Sequence, residues 1–384
     1  MKKEDFTGMV VYLLMIAIAV IFGFTVLKEY AGVSGMGNLF MLFVLGGIVV
    51  GIILSALVIE FGHIVGAKVS GYDIELVTIL GFCFYKNEGK RKFKFSEFDG
   101  LTGETKIRLK KDGIDNPNPV PYLLFGPLFL FILLIVSIVL FITFNRLAGA
   151  QRDGDLAHIA YFVLIIGVIG AMVLIYNIFP AQLDTTNDGY RFALVSNPTN
   201  REAFNEQLRV QRAIENGEEN VEIKTFDTIT NYTADLNLNK VYAALNKDGY
   251  DAAIPYLTKI IEAKDNIKFS IYLRVKALYI YSVVMPQEEK DIVEYCTKEV
   301  SLQERKALAA DISMPSLRAY ILLSGLVDKS ESETLLVLNK IIKAYKKSSK
   351  SRQSVELRLY NKALNKVIEA HPKWDLKGYL LEDK

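Results

Sequence analysis

The sequence predicts a mainly α-helical chain: a polytopic membrane helix bundle with a small cytoplasmic β-hairpin region, then a C-terminal α-solenoid-like helical domain. Three observations predict it. Hydrophobic residues make up 51% of the chain and are concentrated in its first half, four apolar runs there are long enough to span a bilayer, and beyond about Asn197 such runs give way to helix-period stripes. The composition change divides the chain into a membrane domain, residues 1–195, and a helical domain, residues 196–384.

The four runs are Met9 to Leu27, Leu39 to about Ala67, Tyr122 to Phe144, and Ala160 to Phe179. A spanning helix needs about 20 apolar residues, and each run supplies them. Met1-Lys2-Lys3 imitates the start of a secretory signal, but the apolar run that follows is too long for one and no clean small-x-small site closes it. The first run is therefore expected to remain as a span.

Loop charges set the expected orientation. Nine Lys or Arg residues lie between Lys86 and Lys111, and Lys2 and Lys3 precede the first span, whereas the opposite loops offer only Lys28, Arg146 and Arg152. This places the N-terminus, the 69–121 loop and the C-terminal half in the cytoplasm, with the plasma membrane of a bacterium as the expected location. Cys83 and Cys296 both fall on that side, which argues against a disulfide framework. The net charge of +2 gives no case for nucleic acid, because the basic residues cluster where membrane topology alone would put them.

The 69–121 loop carries strand signals. Ile74 to Tyr85 is rich in β-branched and aromatic residues, Asn87-Glu88-Gly89 is a turn signal, and Arg91 to Phe98 alternates basic and aromatic types. A β-hairpin at the membrane surface follows. Lys92-Phe93-Lys94-Phe95 reads either as an edge strand with one solvated face or as a strand edge that guides a peptide.

The residues with chemical potential lie at the end of the second run. Ile59-Glu60-Phe61-Gly62-His63 is a His-Glu-x-x-His pattern whose first histidine is replaced. In the intact pattern the two histidines sit one helical turn apart and bind zinc, while the glutamate acts as base toward metal-bound water. Ile59 cannot bind a metal. Taken alone, His63 also reads as a helix-end histidine, and Asp188-Gly189 as a turn before a helix.

Further along the chain come Gly126-Pro127 at the start of the third run, then Asn177-Ile178-Phe179-Pro180, Asp184 and Asp188-Gly189-Tyr190 after the fourth. In this order, residues 37 to 195 resemble the site-2 protease family of intramembrane zinc metalloproteases. The resemblance implies Glu60 as general base, His63 as a zinc ligand, Asp188 as the carboxylate ligand with Asp184 its rival, and Asn177 as a group that positions substrate. Ile59 stands at the degenerate position. The asparagine often found soon after Gly-Pro is missing, and Asn177 lies farther from Asp188 than in the compact family motif. His158 and His371, the remaining histidines, fall on the other membrane side and in the distant C-terminal half, so neither replaces the missing ligand.

In the C-terminal half, Ile254, Leu257, Ile260 and Ile261 recur at helix spacing, as do Leu335, Leu338, Ile341 and Ile342. Paired amphipathic segments are expected at about Leu236 to Ala263, Phe269 to Val300, Pro315 to Tyr345 and Ser354 to Ala370, separated by polar breaks such as Asn246-Lys247-Asp248-Gly249. The stretch from Val241 through Gly249-Tyr250 to Ala253 resembles one tetratricopeptide-type repeat, which implies a surface that binds proteins. A purely structural helical cap fits the same pattern.

Three functional readings follow. The first is a site-2-protease-like protein that has lost catalytic zinc and binds a transmembrane or membrane-proximal protein partner. The second is a working intramembrane metalloprotease, with zinc as cofactor and a membrane-embedded peptide as substrate. The third, a small-solute transporter or channel, has only the polar groups within the membrane region in its favour.

Overall fold

The computed structural model describes residues 3–87, 90–95, 102–110, 116–181, 187–215, 221–347 and 352–382. The chain is mainly helical, with four helices long and apolar enough to cross a membrane and one small antiparallel sheet. It divides into two compact units, Met1–Val221 and Glu222–Lys384.

In the first unit, α1 (Lys3–Ile21) passes through a π-helical stretch, Phe22–Leu27, into α2 (Lys28–Val33), and together they form the first apolar helix. The second is α3 (Phe40–Ser70), which ends on Gly71 in the left-handed conformation, φ 88°. A glycine there closes the helix without a Cβ penalty. The third and fourth are α4 (Val120–Ala148) and α5 (Asp155–Ile178). These extend the expected runs at most ends, because polar residues such as Asp155 and Arg146 occupy their terminal turns.

Small residues let α3, α4 and α5 approach closely. A Cβ on Gly62 would lie 2.4 Å from the Phe125 carbonyl oxygen, and one on Gly66 would lie 2.3 Å from that of Pro121. On another side of α3, a Cβ on Gly47 or Gly51 would lie 2.9 Å from Ile165 or Ile169 of α5. Two Gly-x-x-x-Gly pairs on one helix thus serve two neighbours, as expected where lipid gives apolar side chains no drive to associate.

Between α3 and α4 the expected hairpin is a four-stranded antiparallel sheet: β1 (Tyr72–Ile79), β2 (Phe82–Asn87), β3 (Lys90–Phe95) and β4 (Gly103–Leu109), in spatial order β3-β2-β1-β4. The segment Ile74 to Tyr85, read as one strand-forming run, is two strands joined by a tight turn at Leu80 (φ 49°) and Gly81 (φ 88°). The turn is hidden in sequence because Leu80 is not a turn-forming type and Phe82 resumes the apolar run at once. β3 is an edge strand with Lys92, Phe93, Lys94 and Phe95 exposed. Glu88, Gly89 and Ser96 to Phe98 of the expected hairpin lie outside the described residues.

The first unit continues past the expected boundary at 195/196. After α6 (Asp188–Val195), the helix α7 (Pro198–Glu215) packs on β4. Asn205 on α7 donates to the Pro117 carbonyl at 2.9 Å and accepts from the Tyr72 hydroxyl at 2.6 Å, and Arg212 donates to the Leu109 carbonyl at 2.6 Å. The last long apolar helix ends at Ile178, but the compact unit to which it belongs runs on through α7.

The second unit comprises α8 (Asn231–Asn246), α9 (Tyr250–Glu262), α10 (Phe269–Val284), α11 (Glu289–Glu299), α12 (Leu302–Ala310), α13 (Met314–Leu322), α14 (Glu331–Leu338), α15 (Ile341–Lys347) and α16 (Gln353–Ala370). The turn expected at Asn246 to Gly249 does separate α8 from α9, with Asp248 at φ 57°. Each longer expected segment holds more than one helix, α8 with α9, α10 with α11, and α13 to α15, where Ser330 caps α14; α12, capped by Ser301, falls between the expected segments. One continuous core runs through the unit, from Leu238 and Leu257 through Leu278 and Leu317 to Leu364. Within it Arg318 is fully buried and paired with buried Glu356, which also accepts from the Tyr242 hydroxyl.

Candidate functional site

Glu60 and His63 lie in the last three turns of α3, Gly126 in the second turn of α4, Asn177 at the end of α5, and Asp188 in the first turn of α6. Their meeting depends on the glycine contacts above. A Cβ on Gly126 would lie 2.5 Å from the His63 ring and 3.0 Å from Ile59, so the helix backbone itself forms one wall of the site.

His63 is buried, and its two ring nitrogens have different partners. Nδ1 lies 2.8 Å from the Tyr122 carbonyl oxygen and Nε2 lies 3.1 Å from Oδ2 of Asp188. A carbonyl can only accept, so Nδ1 carries a proton. A neutral ring would then turn the Nε2 lone pair onto a carboxylate. The pair is attractive only with a proton shared between Nε2 and Oδ2 or a cation bound by both.

Asp188 is delivered to this position by local chemistry. Asn187 caps α6: its Oδ1 accepts from the backbone of Tyr190 at 2.9 Å and of Ala181 at 3.2 Å, while its amide donates to the carbonyls of Tyr176 and Phe179. Gly189 is required next, since a Cβ there would lie 2.4 Å from the Ile178 carbonyl oxygen. The Asp-Gly pair therefore lets α6 start against the end of α5.

Glu60 is 2% exposed, and its Oε2 accepts from the Thr105 hydroxyl of β4 at 2.6 Å. β4 is held there by the Tyr122 hydroxyl, which donates to the Thr105 carbonyl at 2.6 Å. The sheet thus covers the carboxylate. What remains open is a cavity of about 40 Å³ whose walls include Glu60, His63, Thr105, Asn177, Asp188 and Arg191. A single water needs roughly 10–15 Å³, so the cavity holds a few waters.

The structure brings Glu60, His63, Asp188 and Asn177 to one cavity, with Ile59 beside them. Asn177 lines it but spends its amide on the Val173 carbonyl of its own helix, at 2.9 Å. Asp184 lies outside the described residues. His158 bonds to the Tyr30 hydroxyl, and His371 lies 2.7 Å from the Gly325 carbonyl in the second unit. Sequence reading missed Thr105, Tyr122, Asn187 and Arg191. Only Asn187 carried a usable signal, as an N-cap type just before a helix start.

Catalytic zinc takes three protein ligands and a water, and the residues described do not meet that requirement. His63 Nε2 and Asp188 Oδ2 are close to the ~3.3 Å expected of two ligands on one tetrahedral zinc. The third position, one turn before His63 on the same face, is Ile59, which is 2% exposed and packed with Leu130, Val173 and Leu174. Among the described residues no group of three His, Cys, Asp or Glu side chains is placed to hold a metal ion. Comparison with known proteins found no matching family model, curated protein or solved structure.

Proposed function

We propose that this chain is a site-2-protease-like membrane protein that has lost catalytic zinc and acts by binding a transmembrane or membrane-proximal protein partner. The observation that carries this reading is Ile59, an apolar side chain embedded in an apolar cluster where the pattern calls for a metal-binding imidazole. The His63 and Asp188 pair supports the likeness in arrangement: a histidine from the second span and a carboxylate from after the fourth meet at 3.1 Å. The covered Glu60 and the small cavity fit a protein that does not admit a peptide for cleavage.

The accompanying assignments belong to the same proposal. The loop charges put both termini in the cytoplasm of a bacterium, and the second unit, with its helix pair at Asn231–Asn246 and Tyr250–Glu262, serves as a tetratricopeptide-like protein-binding surface. A second reading, an active protease, draws on the His63 to Asp188 spacing, which also suits two ligands of one cation. In that reading Asp184 or Glu60 would have to complete the set, and Glu60 as a ligand would no longer be free to act as base. Zinc analysis of the purified full-length protein separates the two. Less than stoichiometric zinc, raised by Ile59→His, supports the proposal; one tightly held zinc per chain, unchanged by Ile59→His, overturns it.

A further inference from the structure

One face of the sheet can be followed strand by strand from the membrane helices outward. Thr105 donates to Glu60, and a Cβ on Gly103 would lie 3.0 Å from the same carboxylate, so this face of β4 looks onto α3. Residues directly opposite one another in an antiparallel pair project from the same face. Thr105 is opposite Val77 and Gly103 opposite Ile79; Val77 is opposite Phe84 and Ile79 opposite Phe82; Phe84 is opposite Phe93 and Phe82 opposite Phe95. The face that rests on α3 therefore continues into four phenylalanines.

These rings form a contiguous patch that is largely exposed among the described residues. Phe82, Phe84, Phe93 and Phe95 are 44%, 51%, 51% and 72% exposed, and their centroids lie 4.9 to 5.9 Å apart in successive contacts. β1 and β4 pack on α3, whereas β2 and β3 pack on neighbouring strands. At ~4.8 Å per strand, β2 and β3 lie beyond the radius of the helix that supports β4. The other face carries Cys83, Tyr85, Lys92 and Lys94, with the Lys94 ammonium 5.2 Å from the Tyr85 ring centre.

We propose that the phenylalanine face of β2 and β3 is seated in the lipid interface of the bilayer, on the side where α3 ends. The occupant is phospholipid. β1 starts at Tyr72, one residue beyond the Gly71 cap of a membrane-spanning helix, so the sheet has no linker with which to leave the membrane surface. Its apolar face is directed at the membrane helices and overhangs them, while its lysines project the other way into water. Aromatic side chains at this depth and cations outside it is the distribution that membrane interfaces select.

The test uses the full-length protein in vesicles of phosphatidylcholine and phosphatidylglycerol, with an environment-sensitive fluorophore on single introduced cysteines. The native Cys83 and Cys296 are buried, and unsubstituted protein treated with the dye gives the background. Probes at Phe93→Cys and Phe95→Cys should be blue-shifted and quenched severalfold more by nitroxide-bearing lipid than by a soluble nitroxide. Probes at Lys92→Cys and Lys94→Cys should show the reverse. Equal quenching of both sets by the soluble agent places the face in water and overturns the proposal. Shielding of the phenylalanine positions from both agents gives it to a protein partner or a second copy, and also overturns it. No outcome depends on metal, so the result is independent of the reading of the His63 site.

Discussion

Replacing Glu356 by leucine should destabilise the second unit severely, and replacing Arg318 at the same time should undo most of the damage. Arg318 is fully buried, its side chain 0% exposed and that of Glu356 3% exposed, so solvent screening does not weaken the pair. Among the described residues one guanidinium nitrogen has a carboxylate partner and Nε and Nη2 have no hydrogen-bond partner, while the Tyr281 ring lies 4.7 Å from the guanidinium carbon. Glu356→Leu would leave that cation uncompensated among core helices, for which breaking a buried pair costs ~3–5 kcal/mol. The loss is a large part of the roughly 5–15 kcal/mol that stabilises a typical domain. Residues 222–384 expressed alone should be helical by circular dichroism and unfold cooperatively in urea. With a slope of roughly 2 kcal/mol per molar, the midpoint should fall by about 2 M in Glu356→Leu and by far less in Arg318→Met with Glu356→Leu, since apolar replacement of a whole buried pair is often neutral. A single substitution that shifts the midpoint by less than about 0.3 M, given that slope, would refute the reasoning, as would a fragment that does not fold.

Three further expectations are open to direct measurement. Thr105→Val removes the hydroxyl donor to Glu60 and should cost ~1–3 kcal/mol for a buried acceptor left unpaired, read as a lower melting temperature in detergent that Thr105→Ser restores. Burial pushes the Cys296 thiol up to about 11, so at pH 8 a thiol reagent should label it only after unfolding; fast labelling of the native protein would contradict its packing. A membrane-impermeant maleimide applied to cells should reach a cysteine placed at Arg152 and miss one at Lys92, and the reverse pattern would invert the proposed orientation.

The first half was legible in outline because crossing a bilayer would impose one loud constraint, length of apolar run, and the four runs coincide with four helices long and apolar enough to meet it. Less legible was what lies between them. Three of the four strands looked like one hairpin because the Leu80-Gly81 turn sits inside an unbroken apolar and aromatic stretch, and β4, Gly103–Leu109, was not expected at all. The helix α7 was assigned to the wrong unit because its polar surface resembles the chain that follows; its anchors, Asn205 and Arg212, bond to residues about 90 to 100 positions earlier. No local pattern reveals such contacts.

At the site, the order of the motifs was enough to bring His63 and Asp188 together and to single out Ile59. It could not show that β4 folds back over Glu60. Thr105 and Tyr122, which hold that cover in place, are ordinary strand and helix residues whose importance comes from register and from the close approach at Gly62 and Gly66. The cavity they leave is the reason the carboxylate reads as enclosed and not as poised toward substrate.

The central claim, that Ile59 leaves the site without a catalytic metal, is tested most directly by zinc content per chain in protein purified without chelators, native beside Ile59→His. Position 59 lies one turn before His63 on the same helical face, so an imidazole there needs no new backbone geometry. The account predicts substoichiometric zinc in the native protein and a clear rise in the variant. One zinc per chain in the native protein, retained through dialysis and unaffected by Ile59→His, would contradict it.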